Sequence, residues 1–385
     1  MDQSTKNFYI NPEILRWARI TIGFTQENAA KKLDVKVEQL KKWEEGKEEA
    51  PLRKIRKFSA VYRRATTAFL LNSIPEENIP TKFRKLLYDN INSFSTATLL
   101  AIRKVVSIQN LAKDVFDIGS NIFIKDIQKL STISDYDQIA EQVIMLLVLN
   151  EKIITKNKPV FEQLNLWKNA IEAKGIYVVE LGFPVEEAKG FAIYDNIAPV
   201  ITLNTNDHPK VRIFTLLHEL SHLIFHSDAI GDQGSLFNYS TDNSLEAKCN
   251  FLAGNIILPT AYLKQKVSSL QLNPKQDIDT TLEVLTRVFN VSKQVTLRRL
   301  LNENLISKDL FVARNKLLRE SYIHVKPEKK KRSGGDFYVK FFKNNSRAFV
   351  YDIMDAYKRN RISYLDILNY LNIRSTTLSK LEYRL

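Results

Sequence analysis

Cysteine is nearly absent from this 385-residue chain: Cys249 stands alone, so no intrachain disulfide can form, which fits a reducing cytoplasm. Long apolar runs are missing as well. The longest, such as residues 143–149, fall far short of the ~20 residues that a membrane-spanning helix needs. The first residues, MDQSTKNFYINPEILRW, lack a basic start followed by an apolar stretch, so no secretory signal is expected. Internal repeats and low-complexity tracts are lacking, apart from KPEKKKRSGG at 326–335. Histidine is scarce: there are five, and three of them (His218, His222 and His226) fall close together. What remains is ordinary for folded protein, with 44% hydrophobic and 26% charged residues and room for two or three domains.

The net charge of +14 is uneven. Residues 1–75 hold 15 Lys/Arg against 9 Asp/Glu, and residues 301–385 hold 18 against 9. The stretch between them is close to neutral. Two basic ends suggest contact with polyanions, and a neutral centre suggests a different task. Residues 1–72 have helical spacing of apolar positions, and 73–84, with two prolines, read as a linker. Further helices without a chemical motif follow to about 160. A helix over 161–174 then gives way to three short β-branched runs at GIYVVEL (175–181), GFAIY (190–194) and PVITL (199–203), which predict a small sheet. Helices resume at Pro209, and the basic tract at 326–335 sets off the last 50 residues.

Residues 25–46, TQENAAKKLDVKVEQLKKWEEG, predict two short helices joined by a tight turn. Thr25 can cap the first, whose inner face carries Ala29, Ala30 and Leu33. The second buries Val37, Leu40 and Trp43 and stops at Gly46. This stretch resembles the XRE (Cro/C1-type) helix-turn-helix family. The resemblance implies that the second helix enters the major groove of double-stranded operator DNA. It makes Gln26 a backbone contact and turns Lys36, Val37, Glu38, Lys41 and Lys42 towards DNA. Asp34 stands where that family has a turn glycine, and Asp tolerates the left-handed conformation.

Residues 213–226, IFTLLHELSHLIFH, form a helix that is apolar on nearly every side except at His218, Glu219, Ser221 and His222. Polar groups buried there need partners or a metal. His218 and His222, four apart, lie on one face and can share a tetrahedral zinc, while Glu219 lies ~100° round the helix, beside the open position. His226 lies too far to join them, ~12 Å along the axis from His218 at 1.5 Å per residue. Glu246 in SLEAKCNFLAGNIILP is the better third ligand: Ser244 can cap a helix that returns past the first, with Ala247, Ala253 and Gly254 permitting close approach. Asp228, Asp232 and Asp242 compete from the intervening loop, which also offers Tyr239 as a candidate electrophile.

The HELSH helix, the ExxxNxxAxxIILP helix and the strands before them resemble the ImmA/IrrE family of metallo-endopeptidases. The likeness runs on through GGDFY and AYKRNRISYLDILNYLNI to LSKLE. It implies zinc held by His218, His222 and Glu246, with Glu219 as catalytic base. Cys249, where Ala is usual, reads as a small buried residue. The expected fold is α+β and mostly helical, with a helix-turn-helix bundle, a zincin-like core around a small sheet, and C-terminal helical domains. The expected divisions are 1–72 for DNA binding, 73–150 a helical connector, 151–265 the metallopeptidase core, 266–325 a helix-turn-helix-like domain and 326–385 a basic helical domain. Two further helix-turn-helix outlines, at 281–306 and 362–381, fit helical cores, the second in basic surroundings suited to nucleic acid or an acidic partner. The expected function is zinc-dependent cleavage of a repressor or antitoxin-like protein by a DNA-binding regulator. The alternative is a non-proteolytic regulator or antitoxin whose zincin-like lobe binds a partner. The expected partners are operator DNA, a regulatory substrate or cognate toxin, and a second copy of the chain, with no membrane.

Overall fold

The computed structural model describes residues 9–75, 94–115, 121–150, 154, 158–225, 229–230, 245–324 and 336–384. The tract 326–335 and the loop carrying His226, Asp228, Asp232, Tyr239, Asp242 and Ser244 lie outside the described residues. The chain divides into two compact units, residues 1–106 and 107–385. No helix among the described residues is long and apolar enough to cross a membrane.

The first unit contains α1 (Pro12–Ile20), α2 (Gln26–Leu33), α3 (Val37–Glu44) and α4 (Ile55–Tyr62). Thr25 caps α2 by accepting from the Asn28 N–H, and Asp34 ends it in the left-handed region at φ 55°. The core gathers Ile14, Leu15, Leu33, Leu40, Trp43 and Phe58. Val37 is only half-buried. A pair that the sequence reading overlooked closes this unit: Arg19 Nε lies 2.6 Å from Glu44 Oε1, with both side chains almost wholly buried.

The second unit takes in the later part of α5 (Thr96–Val115), then α6 (Ile122–Lys129), α7 (Tyr136–Leu146) and α8 (Val160–Glu172). Next come β1 (Tyr177–Leu181), β2 (Gly190–Ile193), β3 (Val200–Asn204), α9 (Pro209–Ile224), β4 (Ala229–Ile230) and α10 (Leu245–Ile257). The sheet order is β1-β3-β2-β4, with β1 parallel to β3 and the other two pairings antiparallel. β4 was not anticipated, because two residues carry no periodic pattern. The helices α11 (Thr260–Ser269), α12 (Ile278–Val288), α13 (Lys293–Asn302) and α14 (Lys308–His324) follow. The last are α15 (Phe337–Asn345), α16 (Arg347–Lys358), α17 (Tyr364–Leu371) and α18 (Ser375–Glu382).

Each strand of the sheet's first three is buried along nearly its whole length, because helices cover both faces. Val178, Ala192, Ile201 and Leu203 share one core with α8, α9 and α10. On the other face of β1, Tyr177 packs edge-on against Phe349 of α16 and donates to Asp352 Oδ2 at 2.9 Å. Glu172, at the end of α8, accepts from Ser346 Oγ at 2.5 Å and from the Arg347 N–H at 3.2 Å. Burial raises both carboxyls above their ordinary values of 4.5 for Glu172 and 3.8 for Asp352. Each folded value therefore exceeds the unfolded one. The resulting stabilisation is complete below the ordinary values and is lost as pH rises through the folded ones. Amide protection of residues 337–358 is accordingly expected to fall as pH rises above the ordinary carboxyl range, and Asp352→Asn to flatten that fall. Protection that does not change with pH in the unaltered protein would refute this.

Candidate metal centre

α9 starts where Pro209 follows the extended N-cap His208, whose Nδ1 accepts from the Lys210 N–H at 3.2 Å. From Arg212 to Ile224 every side chain is buried, so the helix runs through the core. His218 and His222, one turn apart, bring their Nε2 atoms to 3.1 Å from one another. Glu246, in the first turn of α10, places Oε2 3.3 Å from His218 Nε2 and Oε1 3.3 Å from His222 Nε2. Among the described residues these three form the group of His, Cys, Asp and Glu that converges in this way.

Two buried imidazoles aimed with one half-buried carboxylate at a common point are the arrangement that a cation among them would satisfy. Tetrahedral zinc with bonds of ~2.0–2.1 Å sets its ligands ~3.3–3.4 Å apart, close to the three separations here. His218 Nδ1 and Glu219 Oε2 are buried without a hydrogen-bond partner among the described residues. The donor set fits zinc, and two histidines with one glutamate leave a fourth position open, as in catalytic sites. For Glu246, burial favours the neutral acid, but hydrogen bonds and charge from His218 and His222 outweigh it and hold the carboxyl well below the usual range.

Glu219 is almost wholly buried beside this group. Burial, and then the charge of Glu246, push its carboxyl well above the usual range, opposed by a hydrogen bond from the Ala192 N–H. A divalent cation at the donor set would oppose both upward effects. β2 approaches α9 closely at Gly190, where a Cβ would stand 2.5 Å from Thr215 Cγ2 and 2.6 Å from the Thr202 carbonyl. Glycine is required there for β2 to bring Ala192 alongside Glu219. Cys249 is buried, and burial together with Glu246 and Glu219 pushes its thiol upward, so it is an inert thiol. Gly254 does not face α9 as expected; its missing Cβ makes room for Arg299 of α13, 3.4 Å away.

Behind the centre lies a charged cluster that sequence reasoning missed. Glu180 of β1 bonds to both Lys168 of α8 and Arg212 of α9, and all three are buried. Replacing Glu246 itself tests the ligand assignment. Glu246→Ala is expected to weaken zinc binding at least ~10²-fold, the upper end of what loss of an outer partner brings. Mass spectrometry of the purified variant should find it depleted of zinc, and stoichiometric zinc would remove Glu246 from the set.

In the first unit, Lys36, Glu38, Lys41 and Lys42 lie exposed along α3. Lys42 pairs with Glu48 at 2.5 Å and Lys41 with Glu45 at 3.9 Å, exposed pairs of the kind that exchange readily for phosphate. Gln26 Nε2 donates to Glu44 Oε2 at 2.9 Å, so its amide is held by the Arg19–Glu44 pair.

Residues 171–301 match the family model described as IrrE N-terminal-like domain, a peptidase family, and residues 15–69 match the model described as Helix-turn-helix. No curated protein matches the chain. The chain thus joins an XRE-type helix-turn-helix region to an IrrE-like peptidase domain. The peptidase match takes in His218, Glu219, His222 and Glu246 and runs on into α13.

Proposed function

We propose that this chain is a zinc-dependent endopeptidase that cuts a regulatory protein, a repressor or antitoxin-like partner, at DNA sites chosen by its helix-turn-helix region. One observation carries the reading: the triangle of His218, His222 and Glu246, with Glu219 on the same helix beside it. His218, His222 and Glu246 would hold the zinc. When bound, zinc supplies a Lewis acid that polarises a carbonyl and acidifies water. Glu219 takes a proton from the attacking water on its carboxylate and delivers it to the departing amine nitrogen. The Ala192 N–H fixes the direction from which the carboxylate works. The walls of α9 and β2 exclude bulk water from it. On the DNA side, Lys36, Val37, Glu38, Lys41 and Lys42 would face the major groove, while Gln26, tied to Glu44, would set the orientation of α2. Two such modules on a two-fold operator would be supplied by a homodimer.

Metal removal tests the reading. The zinc-loaded protein is incubated with the repressor-like proteins encoded beside its gene, and the products are read by mass spectrometry. One defined cut is expected, abolished by a chelator and restored by stoichiometric zinc. Cleavage that survives chelation would remove the metal from the chemistry, and a repertoire left intact by the loaded protein would remove the peptidase.

A further inference from the structure

Near its C-terminus the chain repeats the backbone path of its first helix-turn-helix. α2 and α3 have eight residues each, joined through Asp34 at φ 55°, ψ 60°, then Val35 and the N-cap Lys36. α17 and α18 also have eight each, joined through Asn372 at φ 50°, ψ 52°, then Ile373 and the N-cap Arg374. The turn is closed alike: Val35 N–H donates to the Ala30 carbonyl at 3.1 Å, and Ile373 N–H to the Leu368 carbonyl at 3.0 Å. Both first helices are capped by a hydroxyl that accepts from the third helical N–H, Thr25 from Asn28 and Ser363 from Asp366. Both second helices begin without a side-chain cap. Laid over one another without a gap, most of the buried positions coincide, the exceptions being Ala30 on half-buried Leu368 and Glu44 on exposed Glu382. Leu33, Leu40 and Trp43 fall on Leu371, Leu378 and Leu381.

α12 and α13 share the outline but not the path. Four residues, Phe289 to Ser292, separate them, and α13 buries Val295, Thr296, Leu297, Arg299 and Leu300. That second helix is a packing element with no free face. α18 is the opposite: only Leu378 and Leu381 are buried.

Its free face carries Arg374, Ser375, Thr376, Ser379 and Lys380, all exposed, and Lys358 and Arg361 stand exposed on the approach to α17. None of these four cations is in an ion pair among the described residues. The nearby acids are engaged: Asp336 with Arg384, Asp355 with Arg359, Asp366 in the capping box, Asp352 with Tyr177. Two acids are left, Glu382 at the far end of α18 and Asp114, whose charge reaches Tyr370 of α17. Unpaired cations one to two turns apart, interleaved with hydroxyls, match phosphates and base edges in a groove. An acidic protein surface would make no use of the repeated turn.

We propose that α17 and α18 form a second element for double-stranded DNA, with α18 entering the major groove and Lys358 and Arg361 meeting phosphates. The test uses the full chain and a labelled random-sequence duplex of ~30 bp, with binding followed by fluorescence anisotropy across a range of salt. Arg361, Arg374 and Lys380 are changed to Ala together, in the unaltered protein and in one already carrying Lys36→Ala, Lys41→Ala and Lys42→Ala. In both, the C-terminal changes are expected to reduce the slope of log affinity against log salt by ~2–3 and to weaken binding ~10-fold near 0.1 M salt. An unchanged slope and affinity in both backgrounds would overturn the proposal, whatever the N-terminal changes do by themselves. Amide exchange of the unaltered protein supplies a readout free of any folding defect. Added duplex should protect residues 374–382, and no protection there would overturn the proposal equally.

Discussion

Glu219→Gln is expected to lower peptide-bond cleavage by ~10²–10⁴-fold while leaving zinc content and melting temperature close to those of the unaltered protein. Gln keeps the shape of the side chain and can still engage the Ala192 N–H only by offering its amide oxygen. It cannot take a proton from water. His218, His222 and Glu246 are untouched by the change, so their 3.1–3.3 Å triangle should persist. Removing a carboxyl that burial and Glu246 push towards its neutral form also relieves a cost in the metal-free protein, which works against any loss of stability. The measurement is turnover of the cleaved partner beside zinc content on the same preparation. It also separates the two readings of the molecule. A regulator whose zincin-like lobe merely binds a partner should keep its full biological effect with Gln at 219. Loss of that effect, with metal and fold intact, would eliminate the binding-only reading.

The parts of this site that were legible in the sequence are those set by local geometry. The four-residue spacing of His218 and His222 dictates a shared face on any helix, and an apolar helix gives the imidazoles nothing else to do. Glu246 was legible only in part: a glutamate in a helix's first turn is ordinary, and what singled it out was a second apolar helix able to return past the first. Asp34 was legible because one residue in the left-handed region suffices to make the turn, and the structure puts it there. Long-range pairings were not legible. Tyr177 and Asp352 lie 175 residues apart, and nothing in either segment points to the other. The Ala192 N–H that holds Glu219 belongs to the backbone, so no residue type could signal it. Gln26 illustrates a different limit. Its position in a motif suggests DNA, while its amide is already committed to Glu44 in the free protein.

A second large effect is expected from Glu180→Gln, although this residue touches neither metal nor Glu219. Glu180 is the common acceptor for Lys168 and Arg212, and all three are buried. Burial, helped by Arg212 and opposed by Glu172, already brings the Lys168 ammonium down to about 8, so losing the Glu180 carboxylate can only make its proton easier to give up. Arg212 has no such escape, since a guanidinium stays charged at any ordinary pH. Gln would take from that buried charge the carboxylate it shares with Lys168, and removing one partner of a buried ion pair costs about 3–5 kcal/mol. The loss falls on the joint where β1, α8 and the first turn of α9 meet, one turn and a half before His218. Denaturant unfolding should show the drop in stability. The surviving folded fraction should show weaker zinc retention than Glu219→Gln, because the helix presenting both histidines is no longer anchored at its start. A Glu180→Gln, Arg212→Met double change removes the cation together with its carboxylate and should recover much of the loss, since apolar replacement of a buried pair is often neutral or better. If the double variant is no more stable than the single one, the Arg212 charge is not the cause, and the cluster acts through packing alone.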